Sequence, residues 1–163
     1  MSSSAVAEAV GVWRERPALY ARDVFGYTLL PFQRRIIRSL YSRRRVAVAS
    51  GHAVGKTFLA AFIVRHFLLS GGRVLTTATT WPQVEKILWA EIQRQAFAAQ
   101  RKLGCPLDED LKLTSLKTAT GEAYGLSTDE PTAFQGSHWP RQLIIFDEAD
   151  GVDPTIHAAA ESL

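Results

Sequence analysis

Apolar residues fall into two patterns along this chain: short continuous runs and longer stretches with a helical period. Val46-Ala47-Val48-Ala49, Val74-Leu75 within Arg73–Ala78, and Leu143-Ile144-Ile145-Phe146 are short and nearly continuous, as buried parallel strands are when both faces are covered. Behind Pro31, which suits a first helical turn because its missing N–H needs no partner there, Phe32, Ile36, Ile37, Leu40 and Tyr41 recur on one side of a helix. Residues 58–69 are apolar nearly all round, predicting a helix buried on more than one side and stopped by Ser70-Gly71-Gly72. Thr80 and Gln83 stand at capping-box spacing at the start of another helix. Along it Val84, Ile87, Leu88 and Ile92 keep a helical period until Gly104-Cys105-Pro106. Residues 111–114 and 122–126 alternate, as two edge strands or a hairpin would, and Asp129-Glu130-Pro131 reads as a turn. Asp153-Pro154 caps a helix over 155–161. Upstream, residues 11–21 form an amphipathic piece interrupted by Pro17, with Trp13 and Tyr20 packed. Strands alternating with helices predict a three-layer α/β domain, with a mostly parallel sheet and helices on both faces.

Composition narrows this picture without redirecting it. The 163 residues are 47% hydrophobic, one domain's worth with a real core. No apolar stretch is long enough to span a bilayer, and Met1-Ser2-Ser3-Ser4-Ala5 lacks the basic-then-apolar layout of an export signal, so a cytosolic protein without a membrane partner is expected. Cys105 is the sole cysteine, which excludes an intrachain disulfide or a cysteine zinc cluster. The net charge of +3 is unevenly spread: residues 1–45 hold nine of the 19 basic residues and three of the 16 acids. Such asymmetry suits nucleic acid, and suits equally a solvated basic face on a helix leading into the sheet.

Candidate chemistry concentrates in two places. Ser50-Gly51-His52-Ala53-Val54-Gly55-Lys56-Thr57 lies between a predicted strand and an apolar helix, the setting a phosphate-cradling loop requires. Around Gly51 to Gly55 successive N–H groups can turn toward one centre, at which the following helix would aim its positive dipole end. Lys56 would reach β/γ oxygens and the Thr57 hydroxyl would hold Mg²⁺. The usual pattern is G-x-x-x-x-G-K-[ST], and Ser50 replaces its first Gly. The second place is Asp147-Glu148 at the end of the run 142–146. Strands of such sheets deliver functional groups at their carboxyl ends. Asp147 therefore belongs beside the metal through a bound water, and Glu148, one residue beyond, is set to polarise the water attacking a γ-phosphate. Gln33, on the first turn of the helix before the loop, carries the donor and acceptor to read an adenine edge; an ordinary solvent-facing Gln is the other reading.

Pro31-Phe32-Gln33 ahead of a basic helix, the loop 50–57 with its non-Gly first position, and Leu143-Ile144-Ile145-Phe146-Asp147-Glu148-Ala149 together resemble the ATPase part of the large terminase subunit of tailed bacteriophages or prophages, over roughly residues 13–160. Helicases share the single motifs; the combination and spacing carry the likeness. The resemblance implies a P-loop NTPase fold of the ASCE/RecA-like kind, with residues 1–163 one ATPase domain and 1–30 its lead-in helices. It implies ATP hydrolysis that drives double-stranded viral DNA into a capsid, with ATP and Mg²⁺ as cofactors. Phe32, Gln33, Ser50, Gly51, His52, Ala53, Val54, Gly55, Lys56, Thr57 and Phe58 would bind nucleotide, Thr57 and Asp147 the metal, and Lys56 and Glu148 would act in catalysis. The partners implied are double-stranded DNA, a small terminase subunit and a portal protein. The chain would be a homo-oligomeric ring on the capsid and a monomer in solution, in the cytoplasm of the infected or lysogenic bacterial host. In such proteins the loop after the second strand faces DNA, making Thr77, Thr79, Thr80, Trp81 and Gln83 candidates for contact with backbone or base; caps and a core Trp explain them equally well. A Gln-Gly-x-His segment at Gln135-Gly136-Ser137-His138 is also terminase-like, although turn chemistry accounts for Gly136 and Pro140 without a catalytic His138.

Two departures matter. Terminase phosphate loops often carry an Arg that serves the γ-phosphate in cis, and that place here holds His52, whose neutral ring cannot supply a permanent forked charge. Charge stabilisation is then expected from a neighbouring subunit's Arg or from Arg43-Arg44-Arg45, with His52 a plain loop residue. The coupling strand and nuclease domain found beyond the acidic strand in terminases have no counterpart in the 163 residues, and Thr118-Ala119-Thr120 stands on the wrong side of that strand. A domain truncated on its C-terminal side, without nuclease activity, is expected. The alternatives are a superfamily 2 DEAD-type helicase fragment, suggested by Asp147-Glu148-Ala149-Asp150, and a non-hydrolysing ATP-binding regulatory module.

Overall fold

The computed structural model describes residues 3–51, 54–107, 110–127 and 139–161, and its architecture is α/β: a five-stranded mixed sheet with helices against it. Three helices lead in: α1 (Ser3–Glu15), α2 (Pro17–Phe25) and α3 (Pro31–Ser42). Pro17 does not merely interrupt an amphipathic piece; at the first position of α2 its fixed φ starts a second helix. Gly26, at φ +67°, closes α2, its N–H and that of Tyr27 bonding back to the carbonyls of Arg22 and Ala21. As expected, Trp13 and Tyr20 are packed, each 1% exposed.

Helix α4 (Lys56–Leu69) explains its own lack of a polar face. Leu59, Phe62 and Leu69 turn toward the lead-in helices, while Ala61, Val64 and Leu68 turn toward the sheet. After strand β1 (Arg73–Ala78) a helical rod runs on without a break: α5 (Trp81–Gln83), a π-helical segment (Val84–Trp89) and α6 (Ala90–Leu103), ended by Gly104 in the left-handed region. Val84, Leu88 and Ile92 on this rod are fully buried, but Ile87 is 49% exposed. Trp89 Nε1 donates to Thr76 Oγ1 at 2.9 Å across the helix–sheet seam, so close that a Cβ at Gly125 would lie 2.7 Å from Nε1.

The remaining strands are β2 (Asp110–Leu111), β3 (Ser115–Lys117), β4 (Glu122–Gly125) and β5 (Gln142–Asp147), in the spatial order β2-β3-β4-β1-β5. β1 runs parallel to β4 on one side and to β5 on the other, whereas β2, β3 and β4 form an antiparallel meander. The expected mostly parallel sheet is thus corrected to a mixed one. The reason is reach: a parallel neighbour needs a crossover of about a dozen residues or more, and the connections 112–114 and 118–121 are too short for anything but a turn. Among the described residues three strands stand where two edge strands or a hairpin were expected; the antiparallel pairing agrees with the hairpin, and β4 is not at an edge but pairs on both sides.

A second correction concerns residues 46–49, expected as the buried strand that feeds the loop. They make no ladder with any described strand and are largely exposed, Val48 to 44%. A strand exists through the neighbour that takes up its N–H and C=O groups, and β5, the edge strand on this side among the described residues, is paired there with β1 alone. Helix α7 (Pro154–Glu161) covers the other sheet face, where Val152 and Ile156 pack with Leu75, Ile144 and Phe146. Asp153 Oδ1 caps it by accepting from Thr155 N at 2.8 Å and Thr155 Oγ1 at 2.6 Å, as the sequence suggests.

Candidate active site

Parallel pairing of β1 and β5 sets Ala78 opposite Asp147 at their carboxyl ends, so the segments leaving the two strands emerge side by side. Glu148 leaves β5, and the loop 79–83 leaves β1. The amino end of α4 arrives at the same place through Gly55, which holds φ +83°, a conformation only Gly adopts freely. Gly55, Lys56, Thr57, Ala78, Gln83, Ile87, Asp147 and Glu148 line one cavity of about 160 Å³.

Lys56 folds over the loop, its Nζ donating to the carbonyls of Ser50 at 2.9 Å and Gly51 at 3.0 Å. The ammonium only partly compensates the acids opposite. Burial, and next the charge of Glu148, push the Asp147 carboxyl above its usual range, while Lys56 and a hydrogen bond from the Glu148 backbone pull the other way. Asp147 and Thr57, both lining the cavity, bring a carboxylate and a hydroxyl to it. No group of three or more His, Cys, Asp or Glu able to hold a metal occurs among the described residues. The pair Thr57 and Asp147 suits Mg²⁺, which takes one or two protein oxygens and leaves its other positions to water and phosphate.

Glu148 sits at φ 56°, ψ 56°, the one non-Gly residue with positive φ among those described. Left-handed backbone at a non-Gly residue costs on the order of 1–3 kcal/mol and persists where the surroundings impose it. Here the loop after β1 imposes it. Thr79 Oγ1 donates to the Glu148 carbonyl at 3.2 Å, and Gln83 Nε2 donates to Glu148 Oε2 at 3.3 Å. Gly151 leaves room for that grip, since a Cβ there would come within 2.4 Å of Thr79 Oγ1.

Of the residues singled out from sequence, Gly55, Lys56, Thr57, Asp147 and Glu148 meet at the cavity, and Ser50 and Gly51 join them through Lys56. Phe32 and Val54 are exposed and Phe58 packs tilted against Tyr27, ring centroids 4.7 Å apart at 55°; none of the three lines the cavity. His52, Ala53, the turn 129–131 and the segment 135–138 lie outside the described residues. Gln33 is not solvent-facing: it is 1% exposed, and its Oε1 accepts from the Tyr27 hydroxyl and from Leu30 N, both at 2.9 Å. Its Nε2 approaches the residue before α4, lying 3.8 Å from where a Cβ on Gly55 would stand.

The loop after β1 divides the candidates proposed for it. Thr77 is buried and bonded to the Leu126 carbonyl, and Thr79 is committed to Glu148. Thr80 and Gln83 form the capping box, and Trp81 is 36% exposed, not a core residue. Sequence reasoning read Gln83 as a nucleic-acid contact or a cap and missed it as a cavity residue. The signal was present: parallel strands deliver their loops together, so a polar side chain just past β1 had to approach Glu148.

No protein-family model matches this chain, and no curated protein matches it either. No helix among the described residues is long and apolar enough to cross a membrane.

Proposed function

We propose that this chain is a P-loop ATPase domain that binds ATP with Mg²⁺ and hydrolyses it, in the manner of the motor part of a DNA-packaging terminase. One observation carries the reading: the pairs Lys56-Thr57 and Asp147-Glu148, far from each other in sequence, share one cavity at the amino end of α4 and the carboxyl end of β5. Backbone amides of the loop and first turn of α4 would bind the polyphosphate, aided by the helix dipole. Lys56 would exchange its two carbonyl partners for phosphate oxygens, a stronger pairing because both members are charged. Thr57 and Asp147 would hold Mg²⁺, which, when bound, would neutralise charge on the phosphate oxygens. Glu148 would take the proton of the attacking water.

Coupling to double-stranded DNA is drawn from the likeness in the motifs at 31–33, 50–57 and 143–149 and from the basic lead-in region. Steady-state ATP turnover with Mg²⁺, with and without duplex DNA, tests the reading. Glu148→Gln should abolish turnover and keep nucleotide binding, whereas Lys56→Ala should lose binding. Turnover unchanged in Glu148→Gln would sink the reading, and binding without turnover in the unaltered chain would favour a regulatory module.

A further inference from the structure

The two ends of the Gln83 amide face different partners. Its Oε1 accepts from Thr80 N at 2.9 Å and Thr80 Oγ1 at 3.1 Å, while Nε2 reaches Glu148 Oε2 at 3.3 Å. That assignment is forced, because a main-chain N–H only donates and a carboxylate only accepts. Glu148 is exposed on a turn, and a free Glu side chain there samples several rotamers. The loop 79–83 removes that freedom at both levels, Thr79 fixing the carbonyl and Gln83 the carboxylate.

We propose that Gln83 is a positioning residue for hydrolysis, aiming the Glu148 carboxylate into the cavity that Lys56 and Thr57 also line; this rests on the reading of Glu148 as general base. The oxygen of Gln83 serves the helix start and the nitrogen serves the base, so the two roles separate by substitution. Gln83→Glu keeps an acceptor for Thr80 N, since capping boxes accept Glu as readily as Gln, but replaces the donor by a second carboxylate. Gln83→Asn keeps the amide but stands one methylene short of Glu148. Thr80→Ala weakens the helix start and leaves the donor in place.

The test measures kcat and KM for ATP together with Tm on the full chain. Gln83→Glu should lower kcat by about tenfold or more, the size of a lost orientation, with KM and Tm near those of the unaltered protein. Gln83→Asn should lower kcat likewise. Thr80→Ala should lower Tm while kcat stays within about twofold, as a cap loss without loss of the aimed base requires. Gln83→Glu or Gln83→Asn turning over at full kcat, with Glu148→Gln inactive, overturns the positioning role and leaves the general-base reading intact. Full turnover in Glu148→Gln, or none in the unaltered chain, overturns that reading and the positioning role with it.

Discussion

His66 and Asp147 are both ionisable groups drawn out of water, and the fold treats them in opposite ways. His66, on α4, is 2% exposed and has a partner on each ring nitrogen. The Trp13 carbonyl, which only accepts, takes Nε2–H at 2.9 Å, leaving Nδ1 to accept from the Tyr41 hydroxyl at 2.6 Å. Phe62 stacks on the ring, at 6.0 Å and 12°, and Tyr20 flanks it. The ring stays neutral and both of its nitrogens are satisfied. Asp147 is half-buried beside a second carboxylate in left-handed backbone, and the Lys56 ammonium that pulls on it is held by loop carbonyls. The helical side of α4 is built for stability, whereas the acid turn keeps strain and uncompensated charge, the usual condition of a site that acts on a ligand.

The largest effect that would sharpen this contrast is on rate. Glu148→Gln should cut kcat for ATP by roughly 100-fold or more, the scale of a lost general base. It should leave Tm unchanged or slightly higher, because an acid is removed from beside Asp147. A Tm loss comparable to that of a core substitution would break the comparison, by making the acid turn structural.

On the helical side the signs should reverse. Trp13 is 1% exposed, tilts against Tyr20 at 5.9 Å, donates Nε1–H to Asp23 at 3.1 Å and gives its carbonyl to His66. Trp13→Ala should cost about 3–5 kcal/mol of unfolding free energy, the range for deleting a large buried aromatic. Urea denaturation measures it. A cost under about 1 kcal/mol, the level of an exposed position, would mean that α1 is an appendage.

Much of this contrast is legible in the sequence, and the illegible part has one cause. Apolar period and capping residues located α3, α4, the rod 81–103, β1, β5 and α7, because those signals are local. Lys56, Thr57, Asp147 and Glu148 were legible for the same reason, each closing or opening an element whose end must carry it. Pairing is not local. Residues 46–49 have the composition of a strand, but a strand requires a neighbour, which composition does not supply. The antiparallel turn of β2, β3 and β4 against the parallel pair, and the approach of Gln83 to Glu148, were likewise set by which elements lie side by side. Gln33 was read as an adenine contact or a solvent-facing side chain, and both the Leu30 N–H and the Tyr27 hydroxyl that its oxygen accepts from, and the burial they accompany, went unread.

Acid should erode the helical side. Burial, above all, depresses the His66 pKa from 6.5 to about 4, with Arg141 adding to the effect and the Trp13 carbonyl opposing it. The unfolded chain binds a proton near pH 6.5 that the folded chain refuses until about pH 4. The stabilising contribution is therefore complete above pH 6.5 and is lost as pH falls from there to about 4, amounting to about 3 kcal/mol. His66→Gln keeps polar contacts and does not titrate, so its stability should be flatter across that window. Equal slopes for the two proteins between pH 4 and 6.5 would show that His66 is not held neutral by the fold.

The smallest effect lies at the site and has the opposite sign. Asp147 has its pKa raised, chiefly by burial and next by Glu148. For an acid, that means the folded chain holds the proton more tightly than the unfolded one, so ionisation at neutral pH works against folding. Stability falls as pH rises through the carboxylate range and stays lower above it. Asn at this position removes the charge and still offers an oxygen to the Glu148 N–H that Asp147 now accepts from. Asp147→Asn without nucleotide should therefore melt higher at pH 7, by a few degrees at most because partial exposure screens the pair. The gain should vanish at a pH low enough to protonate Asp147 in both folded and unfolded chains. A variant that melts lower at pH 7 would mean that Lys56 already compensates Asp147, and that the acid turn is no costlier to the fold than the helical side it was set against.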